Sequence, residues 1–333
     1  MADATGTTGE CMITASETLR IFSGTANPEL ARKIAHQVGR PLGQIHISRF
    51  ADGEIRIKID ESVRGMDVFI VQPTCAPAND SLMELLIMID AFRRASAHRI
   101  TLVMPYYGYS RQDKKVKPRE PVSARLVADL ITTAGATRVL AVDLHAGQIQ
   151  GFFQIPLDHL YAGPLISTHF AEQGMTNHDT VVVSPDVGGV GRARGMAETL
   201  HASIAIIAKR RPEPNKVEIM EIIGDVRDKT CIMVDDMIDT GGSVASGAAA
   251  LMDRGARRVF ACCTHPVLSG PAIDNIERSP ITELVVTDTI PISADRWERS
   301  TKIRILSVAP LLANAICRIH NDDSVSEMFD TFW

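Results

Sequence analysis

Ile232-Met233-Val234-Asp235-Asp236-Met237-Ile238-Asp239-Thr240-Gly241-Gly242-Ser243 compresses three signals into one stretch. An apolar run ends in two adjacent carboxylates. A third, Asp239, follows, then a Thr-Gly-Gly-Ser turn that opens into an apolar helical pattern over Val244–Arg254. A short strand, a glycine turn and a helix in that order make the first half of a βαβ unit.

Working outward, similar apolar runs recur along the chain. They are Val68–Val71, Ile100–Val103, Val139–Val142, Val181–Val183, Ile204–Ile207, Val259–Ala261 and Leu284–Val286. Continuous runs of this length suit strands buried on both faces. Helical spacing lies between them: Ser81–Ala97 carries Leu82, Leu85, Leu86, Ile89 and Phe92, and Val122–Ala136 looks similar. Strands alternating with helices predict an α/β protein with parallel sheets flanked by helices. Asp67–Pro105 and Lys229–Pro266 share one outline of strand, loop, helix, small-residue turn and strand, which hints at a duplicated α/β domain.

A chain of 333 residues is long for one core, so two domains are expected. The 45% apolar and 23% charged content is that of an ordinary globular protein. A net charge of −5 argues against nucleic acid as the main partner. No apolar run approaches a membrane span. Residues 1–16 lack the basic and apolar regions of a signal peptide and read as a disordered extension. The 6 cysteines form no CxxC pair and sit mostly in apolar runs, so buried thiols in a reducing cytoplasm are expected.

In open parallel sheets ligands bind at the carboxyl ends of strands. Asp143 and His145 follow one strand, Asp186 another, Lys209 a third and Asp235-Asp236 a fourth. At the 232–243 stretch, glycines let backbone N–H groups converge on a phosphate, and the helix N-terminus adds a favourable dipole. Thr240 and Ser243 can donate to phosphate oxygens. The carboxylates cannot bind phosphate; they suit sugar hydroxyls or a metal ion. The stretch therefore reads as a sugar-phosphate site, the alternative being an Asp-rich helix start with glycine turns. Arg111, Lys114, Lys115, Lys117 and Arg119 form a basic loop that by itself is a solvated charge run or an anion site.

The 234–243 stretch resembles the phosphoribosyl-binding loop of type I phosphoribosyltransferases and of ribose-phosphate pyrophosphokinases. Other segments resemble the second family: Phe50–Glu54, Tyr109–Lys115, Arg119–Ala124, Asp143–Phe153, Ser184–Gly189 and Lys209–Pro212, with the likeness running from about Leu19 to Phe329. That resemblance implies two tandem domains of type I phosphoribosyltransferase-like fold, at 17–160 (ATP elements) and 161–333 (ribose 5-phosphate loop and catalytic lid). It implies transfer of the β,γ-diphosphoryl group of ATP to O1 of ribose 5-phosphate, with release of AMP. Phe50, Asp52, Gly53, Glu54, Arg111, Gln112, Asp113 and His145 are then the ATP residues. Arg211, Asp235, Asp236, Asp239, Thr240, Gly241, Gly242 and Ser243 hold ribose 5-phosphate. Lys209 and Arg211 are catalytic cations on a lid, and His145 and Asp186 bind Mg2+. Ser62, Arg64, Ser324 and Ser326 resemble the site of an activating inorganic phosphate, and the family implies a homohexamer. Ser243 stands where Thr is commoner, which keeps the hydroxyl. Two rivals stay open: a phosphoribosyltransferase, which would need no second nucleotide domain, and a non-catalytic relative, which should have lost the lid cations.

Overall fold

The structure, a computed structural model, describes residues 17–210 and 219–328. The extension read at 1–16, Arg211 and most of the lid segment lie outside them. In chain order the first half comprises β1 (Leu19–Ser23), α1 (Pro28–Val38), a hairpin of β2 (Ile45–Arg49) and β3 (Ile55–Ile59), then β4 (Asp67–Val71), α2 (Ala78–Arg94), β5 (Arg99–Met104), α3 (Ser123–Ala134), β6 (Arg138–Val142) and β7 (Leu157–Leu160). The second half comprises α4 (Gly163–Glu172), β8 (Thr180–Ser184), α5 (Val190–Leu200), β9 (Ser203–Arg210), β10 (Ile219–Ile223), β11 (Thr230–Ile238), α6 (Gly242–Asp253), β12 (Arg258–Pro266), α7 (Ala272–Arg278), β13 (Ile281–Thr287), α8 (Ala294–Trp297), β14 (Ile303–Leu306) and α9 (Ala309–His320).

These make two large sheets and the separate two-stranded β2–β3 hairpin. The first runs β1-β4-β5-β6-β7, parallel throughout, and the second runs β10-β9-β8-β11-β12-β13-β14. Only β10 in the second is antiparallel to its neighbour. The two look-alike segments are strand–helix–strand units, β4-α2-β5 and β11-α6-β12, each with its strands adjacent and parallel.

Three apolar layers hold this together. The middle one lies between the sheets: Leu19, Ile21, Phe69 and Val142 of the first and Val182, Ile232, Val234 and Phe260 of the second share a cluster with α1, α4, α5 and α9. The outer layers place α2, α3 and the hairpin on the first sheet and α6 and α7 on the second. Each fully buried large apolar side chain contributes about 1.5–3 kcal/mol, so the shared middle layer makes the two sheets one body. A polar link reinforces it, since His320 at the end of α9 pairs through Nδ1 with Asp67 at the start of β4 (2.7 Å). Arg99 bonds the same carboxylate and, at 2.8 Å, Asp322.

Where sequence and structure differ, the reasons are local. The helix expected over 81–97 begins at Ala78, behind Pro77, and ends before Ser96, whose φ of 63° lies in the left-handed region. The helix expected from Val244 begins at Gly242, so the turn's second glycine belongs to its first helical turn. The hairpin escaped a search for continuous apolar runs because β3 alternates half-buried isoleucines with exposed Arg56 and Lys58.

Candidate active site

The carboxyl ends of both sheets meet, and the candidate residues gather there. β11 carries Asp235 and Asp236 inside its last turn of ladder, paired up to Ile238 with β12. Asp236 is buried and receives His145 from the loop after β6, Nδ1 to Oδ2 at 2.8 Å. Arg111, from the loop after β5, reaches Asp239 at 2.6 Å. One residue of each pair thus comes from each sheet.

Behind the carboxylates stands Arg192 of α5, with Nη1 3.5 Å from both Asp235 and Asp236. No sequence signal singled it out, since an Arg in an Ala/Gly-rich helix looks like surface. Electrostatics then separate the two aspartates. Burial and the neighbouring Asp236 charge raise the Asp235 carboxyl well above the usual range. Burial works the same way on Asp236, but the His145 hydrogen bond and Arg192 overrule it and hold that carboxyl low. In return the Asp236 hydrogen bond raises His145 against the opposing effect of burial. The Asp239 carboxyl is also low, because Arg111 and Ser269 outweigh its burial.

Asp239–Ser243 wraps a cavity of about 190 Å³ lined also by Pro185, Asp235 and Val244. Gly241 caps α6 with a φ of 73°, and a Cβ there would stand 3.1 Å from the Ala272 carbonyl. Asn275 of α7 holds the Thr240 carbonyl at 2.9 Å. The first turn of α6 therefore lines this cavity, and the backbone N–H groups of a helix N-terminus suit an anion. A second cavity of about 540 Å³ adjoins it through Val234 and Asp235, running past His145, Tyr161 and Arg192.

The remaining candidates separate. Gln112 accepts from Ser123 at the start of α3, and Asp113 is buried against Gln148, so within that element Arg111 is the residue that reaches β11 and its loop. Phe50, Asp52, Gly53 and Glu54 form the exposed tip of the β2–β3 hairpin, where Glu54 N–H donates to Asp52 (3.1 Å) and Arg56 lies over the Phe50 ring. Among the described residues no hydrogen bond or ion pair joins that tip to the 235–243 segment. Asp186 is exposed in the turn after β8, where it accepts from Gly189 N–H at 2.8 Å. Lys209 is the next-to-last residue of β9, and Arg211 is outside the described residues. Ser62 and Arg64 precede β4 and Ser324 and Ser326 follow α9, all exposed; the Asp67–His320 pair brings these two segments to the amino end of the first sheet, opposite the cavities.

Comparison with known proteins bears on this arrangement. A profile of the N-terminal domain of ribose phosphate pyrophosphokinase matches residues 19–135, and one of the phosphoribosyl synthetase-associated domain matches residues 210–330. A ribose-phosphate pyrophosphokinase of Clostridium tetani is 59% identical over 320 residues, covering 96% of this chain and 99% of the relative. The chain belongs to the ribose-phosphate pyrophosphokinase family. A second relative of that name, from Oceanobacillus iheyensis, is 57% identical over 94% of this chain and 97% of its own. The crystal structure of phosphoribosylpyrophosphate synthetase from Mycobacterium smegmatis superposes with a TM-score of 0.87 at 46% identity, covering 92% of this chain and 100% of that one. Two tandem phosphoribosyltransferase-type domains are thus the fold of this pyrophosphokinase family member. The phosphoribosyltransferase reading falls away because both sheets are present, and the non-catalytic one because the relatives matched over nearly their whole length are named as the enzyme.

Proposed function

We propose that the seam between the two sheets is where ATP and ribose 5-phosphate are held facing each other. The reaction is the family's: the β,γ-diphosphoryl group of ATP passes to O1 of ribose 5-phosphate, giving 5-phospho-α-D-ribose 1-diphosphate and AMP. The observation that carries the reading is the pair of contacts from the first sheet onto one strand-loop of the second, His145 to Asp236 and Arg111 to Asp239.

Asp239–Ser243 takes the 5-phosphate, with N–H groups of the α6 first turn and the Thr240 and Ser243 hydroxyls as donors. Asp235, held high enough to share a proton, and ionised Asp236 orient the ring hydroxyls so that O1 faces the β-phosphorus. Arg111 and His145 line the ATP phosphates. In-line positioning and charge neutralisation supply most of the catalysis in such a transfer. Lys209 and Arg211, the catalytic cations, stabilise charge that grows on the phosphates, at a loss of about 2.7–4 kcal/mol when one such donor is removed. No side-chain nucleophile takes part.

Mg2+ fits the residues present in a limited way. Among the described residues no three His, Cys, Asp or Glu side chains converge as ligands. Asp186 and His145 would then supply one or two contacts, the phosphates and water the rest, which is how Mg2+ usually sits on a nucleotide. Bound there, it would neutralise phosphate charge.

The unit at 17–160 then carries ATP and that at 161–333 carries ribose 5-phosphate. The exposed Phe50 ring, 51% accessible, offers a stacking face for adenine from a neighbouring subunit, in keeping with a homohexamer. Inorganic phosphate would activate at Ser62, Arg64, Ser324 and Ser326. Buried Cys75, Cys231, Cys262 and Cys263 are the free thiols expected of a reducing cytoplasm, whereas Cys317 departs from that expectation and is disulfide-bonded. Among the described residues no helix is long and apolar enough to cross a membrane.

The test is phosphorus NMR of the protein with MgATP and ribose 5-phosphate. AMP and the 1-diphosphate are the expected products. ADP instead of AMP, or no turnover with phosphate present, would sink the assignment.

A further inference from the structure

The loop Asp143–His145 is held in a backbone conformation that it would not adopt alone. Asp143 has a φ of 40°, in the left-handed region that costs a non-glycine residue free energy and persists only where its surroundings over-determine it. The surroundings are unusually complete. The Asp143 N–H donates to the Leu160 carbonyl at 2.9 Å, and the Leu144 N–H donates to His159 Nε2 at 2.8 Å, both within the first sheet.

The other contacts come from Ala162, ahead of α4, and from β12 of the second sheet. Asp143 is 8% exposed. Its Oδ2 accepts from the Thr264 hydroxyl at 2.6 Å and from the Ala162 N–H at 3.0 Å. The Asp143 carbonyl meets His265 Nε2 at 3.0 Å. A carbonyl only accepts, so Nε2 carries the proton. Neutral His265 then has its lone pair on Nδ1, which takes the Thr289 hydroxyl at 3.0 Å. Thr264 and His265 lie in β12, beside the β11 strand that presents Asp235 and Asp236.

We infer that Thr264 and His265 are positioning residues for the transfer, clamping the Asp143 turn of the first sheet so that His145 is delivered to Asp236. The Asp143 carboxylate faces the second sheet's hydroxyl, and its work is to register the two sheets at the reaction centre. The inference rests on the proposed placing of His145 at the ATP phosphates. It assigns roles to residues distant in the chain, since Thr264 and Asp143 are 121 residues apart.

The experiment is a double-mutant cycle on the full-length enzyme, with kcat and KM for ribose 5-phosphate and ATP measured from AMP release. Thr264→Val is nearly isosteric and removes only the donor. It should lower kcat about tenfold while KM for ribose 5-phosphate, set by the separate 239–243 loop, stays within about twofold. Thr264→Ser keeps the hydroxyl and should recover most of the rate. In a His145→Ala background Thr264→Val should add little, because coupled residues are non-additive. A wild-type kcat in Thr264→Val, losses that multiply fully in the double variant, or a KM for ribose 5-phosphate that rises in step with the loss would each overturn the clamp. A wild-type rate in His145→Ala would instead overturn the placing of His145 itself. Should Thr264→Val not fold, His265→Gln, which keeps a donor toward the Asp143 carbonyl, is compared with His265→Leu in the same cycle: equal kcat in the two overturns the clamp.

Discussion

Adjacent aspartates in one strand would ordinarily point to opposite faces, and here their neighbours make them chemically different. Arg192 approaches both, but Asp236 is paired with His145 while Asp235 faces the cavities with a raised carboxyl. Asp236→Asn should therefore cut kcat by at least about a hundredfold, since it strips His145 of its charged partner in a partly buried site. Steady-state AMP release at saturating substrate reads this, and a loss confined to KM would contradict it. His159 makes a second residue-scale prediction. It accepts the Leu144 N–H at Nε2, so Nδ1 carries the hydrogen toward Tyr161 (3.1 Å), and burial lowers its pKa. The folded protein thus binds this proton less readily than the unfolded chain. The neutral ring's contribution is fully present above its ordinary value of about 6.5 and is lost as pH falls below it. Melting temperature should drop more steeply between about pH 6.5 and 4.5 in the wild type than in His159→Gln. Parallel curves would remove His159 from the acid-sensitive groups.

The cup proposed for the 5-phosphate belongs to an element rather than to a residue. Its shape needs Gly241 in the left-handed region, close under the Ala272 carbonyl, so that α6 can begin at Gly242 with its N–H groups turned inward. Gly241→Ala should raise KM for ribose 5-phosphate about tenfold or more and cost roughly 1 kcal/mol of stability. Isothermal titration with ribose 5-phosphate checks the first and thermal unfolding the second; unchanged affinity would show that the turn tolerates a side chain. This element was legible from residues 232–254 alone, because a buried strand, a glycine turn and a helix are each specified by short-range pattern. The β2–β3 hairpin was less so. Its Phe50–Glu54 tip was noticed by resemblance, yet its strands alternate polar and apolar residues and packed on α2 only in three dimensions.

At the scale of the molecule, the two sheets are joined by the middle apolar layer and by the Asp67–Arg99–His320 group that fastens α9 to the first sheet. Asp67 and His320 are almost fully buried. Asp67→Ala leaves the His320 ring and one side of Arg99 without their buried acceptor, and should destabilise the protein by about 1–3 kcal/mol. Chemical denaturation measures this; a change below about 1 kcal/mol would make the group ornamental. Light scattering with and without inorganic phosphate should find a particle of six chains, and a monomer in both conditions would refute the assembly.

What the sequence by itself determined was whatever depends on near neighbours: parallel strands, their helices, the glycine turn that opens α6, and the family that their order spells out. Arg111 and His145 were named there too, but not what they touch. Arg111 lies 128 residues from Asp239 and His145 lies 91 from Asp236, distances over which a local pattern carries no geometric information. Arg192, Thr264 and His265 were invisible for the same reason, being ordinary residue types in a helix and a strand. Only the tertiary structure, by packing the two sheets across one apolar layer and setting their carboxyl ends together, decided that these side chains share a site.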